Sequence, residues 1–255
     1  TWDMRSAEIG YTLSAKHWGK GYATEASQAL IEFLFSDPRL TRISASLHPD
    51  NVASAMVLER LGFLFEGHTR LSFWVGTDNS DDWLYGMTRA DWRSWKARPR
   101  HKPAAIQLLA VDHMNMRDVA ALRTHKSQEQ FVAPVLMSFA NALFPEPDDG
   151  GPVEPWLRAV QADGELVGFV MLAARTDHQP EPYLWRMLID RMHQRRGIGS
   201  TVLDQVVDEC KRMGAGSLMV SWGEGRGSPG PFYLSHGFQP TGEMNGSEAV
   251  ARFLF

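Results

Sequence analysis

No disulfide can form within this chain, because its 255 residues include one cysteine, Cys210. That thiol sits among the apolar positions of a helical stretch, and no histidine is placed by sequence to activate it, so it reads as a buried structural group. A chain without disulfides suits a reducing compartment such as the cytoplasm. Long apolar runs are missing too: nothing approaches the ~18 consecutive apolar residues of a membrane span, and the opening residues do not read as a signal peptide. Nor is there an excess of positive charge. Lys and Arg number 26 against 30 Asp and Glu, a net charge of −4, which argues against nucleic acid as a partner. The negative charge lies in the second half, where residues 105–255 carry 18 acidic and 13 basic residues, against 12 and 13 in residues 1–104. An acidic half suits a cationic substrate steered in solution, and equally a surface charged for solubility.

What is present is organised around Leu184–Ser200. A short apolar strand ending in Leu188 and Ile189 leads to a basic, glycine-containing turn, Gln194, Arg195, Arg196, Gly197, Ile198, Gly199 and Ser200. A helix follows, with Val202, Leu203, Val206, Val207, Cys210 and Met213 at helical spacing. Glycines let backbone approach an anion closely, and the unsatisfied N–H groups of a first helical turn point at it. Arg195 and Arg196 put side-chain charge at the same end. The dinucleotide fingerprint would need a third glycine, and the phosphate loop of ATPases a Lys-Ser/Thr, and both are absent. Gln194-x-x-Gly197-x-Gly199 resembles, at every specified position, the pyrophosphate-binding signature of the GNAT superfamily of acyl-CoA N-acyltransferases.

An internal repeat strengthens the resemblance. Glu8–Leu13 reads as a strand, His17–Ala23 as a similar turn, and the following residues as a helix with Ala26, Leu30, Phe33 and Leu34 on one side. A strand with Ile43, Ala45 and Leu47 and a helix ending in Leu61-Gly62-Phe63 complete the first copy. The second copy has its strand at Ser217–Trp222 and ends in His236-Gly237-Phe238. Gly21 and Gly62 are 41 residues apart, and Gly197 and Gly237 are 40 apart. The fold expected is α/β of the α+β kind: two mixed-sheet GNAT domains in tandem. Residues 1–92 are the C-terminal part of one, residues 93–104 a linker with two prolines and six basic residues, and residues 105–255 a complete domain.

The first copy resembles the ribosomal-protein alanine N-acetyltransferases, in Ala7–Tyr11, His17–Ala26, His48–Ser54, Leu61–Gly67 and Asp82–Met87. Trp18 departs from the superfamily's Gln or Arg. The resemblance implies that Asn51 and Ser54 lie near the thioester, with the Ser54 hydroxyl able to protonate a thiolate; helix capping explains Asn51 equally well. The strands that would precede Glu8 in a complete copy are not in this sequence, which leaves that strand as an edge needing cover from another segment or chain. A homodimer is one such arrangement.

In the second copy, Ile106–Val111 reads as a first strand. Asp112 reads as the cap of a helix through Leu122, and Gln128–Leu143 as a second helix. Trp156–Val160 and Leu166–Leu172 form a hairpin about Asp163-Gly164. The resemblance implies acetyl-CoA as co-substrate, no metal, and direct attack of an uncharged amine on the thioester. A backbone N–H beside a strand bulge near Leu188 and Ile189 would meet the oxyanion, Tyr233 would be the proton donor, and the cofactor arm would pass between strands splayed after Ile189 and Trp222. Glu224 and Asp190 are the candidate bases, beside a water chain. Gln128–Pro134 and Ser228–Tyr233 resemble bacterial diamine and polyamine N-acetyltransferases, and Glu146, Asp148 and Asp149 would attract a polycation. The acceptor implied is therefore a small-molecule amine. A protein or peptide amino terminus is the alternative acceptor, and a non-catalytic acyl-CoA sensor or scaffold the alternative function.

Overall fold

A computed structural model describes residues 5–145 and 153–255. It divides into two units: one runs to Arg98 and takes in His125–Ser127, and the other comprises Pro99–Thr124 and Gln128–Phe255.

In the first unit β1 (Ser6–Glu8), β2 (Arg42–Leu47), β3 (Leu64–Val75) and β4 (Asp78–Thr88) form a sheet in the order β1-β2-β4-β3. β1 is an edge strand, parallel to β2. It ends at Glu8, shorter than expected, because Gly10 to Ser14 leave the ladder. Helices α1 (Tyr22–Ser36) and α2 (Val52–Leu61) share a core with Ile43, Ala45, Leu47, Phe63, Tyr85 and Met87. α1 buries Ser27, Ile31 and Phe35, whereas Ala26, Leu30 and Phe33 are exposed, Phe33 by 73%. The expected face is thus rotated. Apolar residues run around much of this helix, so spacing alone does not select the buried side.

Helix α3 (Arg89–Ala97) occupies the first half of the stretch read as linker. A capping box between Thr88 and Asp91 starts it, and buried Trp95 anchors it against Gly62: a Cβ there would lie 2.3 Å from Trp95 Cγ. Two tryptophans at helical spacing, Trp92 and Trp95, outweigh the basic composition. Glu59 is buried too, and accepts hydrogen bonds from Tyr85 Oη (3.0 Å) and the Ser127 backbone N–H (2.9 Å).

The second unit has seven strands: β5 (Ile106–Ala110), β6 (Pro155–Ala162), β7 (Glu165–Ala173), β8 (Tyr183–Ile189), β9 (Ser217–Gly223), β10 (Gln239–Asn245) and β11 (Glu248–Leu254), in the order β10-β11-β9-β8-β7-β6-β5. Only β8 and β9 are parallel. Asp163 (φ 51°) and Gly164 (φ 88°) make the two-residue turn between β6 and β7. One sheet face packs α4 (Met116–Ala121) and α5 (Val135–Leu143) on Phe169, Met171 and Leu188. The other packs α6 (Ile198–Arg212) and α7 (Gly230–Ser235) on Val170, Leu172, Leu184, Leu218 and Val220. The predicted helix from Gln128 is real only from Val135, because Pro134, lacking an N–H and disfavouring helix before it, stands at its N-cap. Asp112 is likewise one turn early: Asn115 is the N-cap of α4, and Asp112 accepts the N–H groups of Met114 and Asn115.

Candidate active site

β8 and β9 are joined by two register pairs, Tyr183 with Met219 and Leu184 with Val220. Beyond Val220 no ladder connects them, so the sheet opens there. On its other side β8 carries an irregularity: Arg186 faces Met171 and Leu184 faces Leu172, leaving Trp185 as the extra residue of a bulge. The bulge expected near Leu188 and Ile189 is therefore earlier, and those two residues pair regularly with Phe169 and Gly168.

Past Ile189 the chain makes a tight turn that ends in α6. Gln194 fastens it, its Nε2 donating to the Ile189 carbonyl (3.0 Å) and to Gln128 Oε1 (2.9 Å). Arg195 (φ 63°) and Gly197 (φ 76°) are both left-handed. Among the described residues the N–H groups of residues 194–200 make no hydrogen bond, and the first to do so belongs to Thr201, which donates to the Gly197 carbonyl. A row of unfilled donors opening a helix is a cradle suited to a diphosphate. The first unit repeats the pattern, with Gly19 (φ 73°), Gly21 (φ 85°) and Glu25 N–H on the Gly21 carbonyl.

The two arginines of the turn separate. Arg195 is exposed at its tip. Arg196 is 5% exposed, with Nε donating to the His101 carbonyl (2.9 Å), Nη1 to His193 Nδ1 (3.0 Å), and Nη2 lying 3.8 Å from Asp163 Oδ2. Its side chain therefore braces the loop and does not join the cradle. Asp190 is occupied as well, one oxygen accepting from Met192 N–H and the other from Arg123 N–H (2.9 Å each). Both oxygens thus serve the turn that Asp190 closes.

Tyr233 is 6% exposed. It stacks on Trp222 (centroids 5.8 Å apart) and meets Phe232 and Phe238 edge-on. Burial raises its pKa, holding the phenol protonated. The Trp222 indole donates to Glu224 Oε1 (3.2 Å), and only a glycine fits beneath that ring at Gly230, where a Cβ would lie 2.4 Å from Nε1. Tyr233, Trp222 and Glu224 are thus brought together at the end of β9. Ser54 belongs to the first unit, where its N–H is capped by Asn51 Oδ1 (3.2 Å) and its carbonyl accepts from Tyr11 Oη (3.2 Å). Cys210 is buried and its thiol is pushed up to about 12. Glu146, Asp148 and Asp149 lie outside the described residues.

Residue patterns overlooked Arg186, Ser221 and Glu248. Arg186 is the sole charge in β8, opposite Met171 on the face bearing α4 and α5. Glu248 accepts from the Ser221 hydroxyl on the neighbouring strand. A charge breaking an otherwise apolar strand was the available signal.

Among the described residues no helix is long and apolar enough to cross a membrane, and no group of His, Cys, Asp and Glu could hold a metal ion. Residues 1–64 match the family model of an acetyltransferase (GNAT) domain, and residues 120–238 that of the acetyltransferase (GNAT) family. An uncharacterized N-acetyltransferase, p20, of Bacillus licheniformis is 48% identical over 64 residues, 25% of this chain and 36% of that protein. The putative ribosomal N-acetyltransferase YdaF of Bacillus subtilis is 35% identical over 92 residues, 36% of this chain and 50% of that protein. The chain thus spans half or less of the length of these relatives. A crystal structure of PaiA N-acetyltransferase from Thermoplasma acidophilum with coenzyme A aligns to 59% of this chain and 99% of its own, at 14% identity and TM-score 0.42. Matched twice, in separate segments that together span well over half of its length, the chain belongs to the GNAT superfamily and carries two matches to it in tandem, the first to part of a domain.

Proposed function

We propose that the second unit is an acetyl-CoA-dependent N-acetyltransferase acting on a primary amine. The observation that carries this reading is the opening between β8 and β9 leading to a loop of seven unfilled N–H groups, residues 194–200. Those donors and the Arg195 side chain hold the diphosphate, with Leu188, Ile189, Gln194, Gly197, Ile198, Gly199 and Ser200 forming the wall beneath it. Arg196 acts at one remove, by holding the loop in shape. When bound, acetyl-CoA supplies an activated acyl carbon: the new N–C bond forms as the C–S bond breaks, the amine gives up one proton, and the thiolate takes one.

This chain's residues then have separable tasks. Glu224, exposed beside the Trp222 indole, accepts the amine proton directly or through water. Tyr233, kept protonated by burial, supplies a proton to the departing thiolate. Backbone N–H groups at the Trp185 bulge meet the developing oxyanion. The acceptor is a small molecule carrying a primary amine. A protein or peptide amino terminus is the second reading, favoured by the likeness of part of this chain to a putative ribosomal N-acetyltransferase.

Calorimetric titration of the full chain with acetyl-CoA, beside Gly197→Val, tests the assignment. A β-branched residue at φ 76° distorts the cradle, so binding to the second unit is expected to be lost in the variant. One site per chain fits a second unit acting alone, and two fit a working loop at Gly19 and Gly21 as well. No binding by the wild-type chain ends the enzyme reading.

A further inference from the structure

Arg186 stands two residues past Leu184, the last residue of β8 to pair with β9, and so lies at the mouth of the opening. Its Nη1 donates to the Trp185 carbonyl (2.6 Å). Its Nε is closed off from solvent and has no acceptor among the described residues. Burial lowers the guanidinium pKa, against the opposing pull of the Glu248 carboxylate. A half-buried guanidinium with an orphan N–H is an unfavourable arrangement unless something else completes it. The diphosphate cradle starts only beyond Ile189, further along the chain. Glu248, on β11 in register with Gly223 at the open end of β9, supplies the opposite charge, one of its oxygens held by the Ser221 hydroxyl.

We infer that the acceptor is a zwitterion, a primary amine with a carboxylate a few bonds away, whose carboxylate is bound by Arg186 and whose ammonium is met by Glu248, which takes one proton before the uncharged amine attacks. The planar fork of an arginine matches a carboxylate in a way a lone lysine does not. A polyamine would instead bring a second cation up to the guanidinium. This inference rests on the acetyl-transfer reading and narrows its substrate class.

Two compounds differing only by the carboxylate, lysine and cadaverine, test it on the full chain, with kcat/KM read by thiol release. Wild type is expected to favour lysine at least tenfold. In Arg186→Gln the ratio of the two kcat/KM values should fall by about 10- to 100-fold, the scale of one charge-assisted bond. Arg186→Lys, which keeps the charge and loses the fork, should give an intermediate ratio, and serves if the glutamine variant does not fold. A wild-type preference for cadaverine, or an unchanged ratio in both variants, overturns the inference. A dipeptide, whose carboxylate lies further from its amine, separates free amino acids from peptides as the source of the same chemistry.

Should neither compound be turned over, calorimetry on the CoA-saturated chain decides: lysine binding that Arg186→Gln removes supports the inference, and no lysine binding defeats it. Should acetyl-CoA itself not bind, the acetyl-transfer reading fails separately, and the same lysine titration on the free chain still answers for Arg186.

Discussion

Adjacent arginines in the cradle loop should respond to mutation in opposite ways. Arg196→Met removes the charged donors to the His101 carbonyl and His193, both short bonds by a side chain that is 5% exposed. Hydrogen bonds to charged groups contribute about 1.5–3 kcal/mol each. The Asp163 contact at 3.8 Å, partly solvated, adds under ~1 kcal/mol. With methionine regaining some apolar burial, the net loss is about 3 kcal/mol. At a urea slope of about 2 kcal/mol/M the unfolding midpoint of the second unit falls by about 1.5 M. Arg195→Gly touches no such network, and it relieves a left-handed residue while loosening the unfolded chain, so stability should stay within about 1 kcal/mol of wild type. Its cost appears in acetyl-CoA affinity, which should drop about tenfold for one lost charged contact. Urea titration followed by circular dichroism, with calorimetry on the same samples, gives both numbers. A stable Arg196→Met that has lost only affinity would show that Arg196 faces the diphosphate after all.

Three further outcomes are expected. Tyr233→Phe should lower kcat by about 10²- to 10⁴-fold, the usual range for a lost acid, while acetyl-CoA affinity is unchanged; an unaltered kcat would leave Tyr233 as a core residue only. Gly62→Ala should destabilise the first unit by over ~2 kcal/mol, since it combines φ 98° with a Cβ 2.3 Å from Trp95, and a wild-type thermal midpoint would contradict the packing. Cys210, with its thiol pushed up to about 12 by burial, keeps its proton in the folded state at pH values where an unfolded thiol, near 8.5, has lost it. Its contribution is therefore complete below about pH 8.5 and is lost as pH rises toward 12. Urea midpoints should fall over that window less steeply in Cys210→Ala, and equal slopes would refute it.

What was legible in the sequence was residue type at a fixed spacing. Gln194, Gly197 and Gly199 mark the loop because backbone conformation and close approach demand those residues, and Asp163-Gly164 marks its hairpin for the same reason. The repeat exposed the shared fold, since strand, turn and helix recur with a glycine at each closing position. Side-chain direction was not legible. Arg195 and Arg196 are equivalent as letters, yet one is exposed and the other braces the fold. Asp190 reads as a candidate base, and the two backbone N–H groups it holds in its turn leave no mark in the sequence. The bulge at Trp185 leaves no compositional trace, and a helix as broadly apolar as α1 does not declare its buried face. Arg186 stands in a strand whose pattern is dominated by its apolar residues.

The two-pair seam between β8 and β9 also has a mechanical meaning. Other neighbouring strands of that sheet are tied by four to eight register positions. The sheet therefore behaves as two stiff ribbons, β5–β8 and β9–β11, stapled at Tyr183 and Leu184. Load concentrates at the staple, and the ribbons can pivot about it without breaking any other ladder. Aperture width is then the coordinate that the fewest strand pairings of that sheet resist, and amides next to the staple should exchange with deuterium before those in the middle of either ribbon.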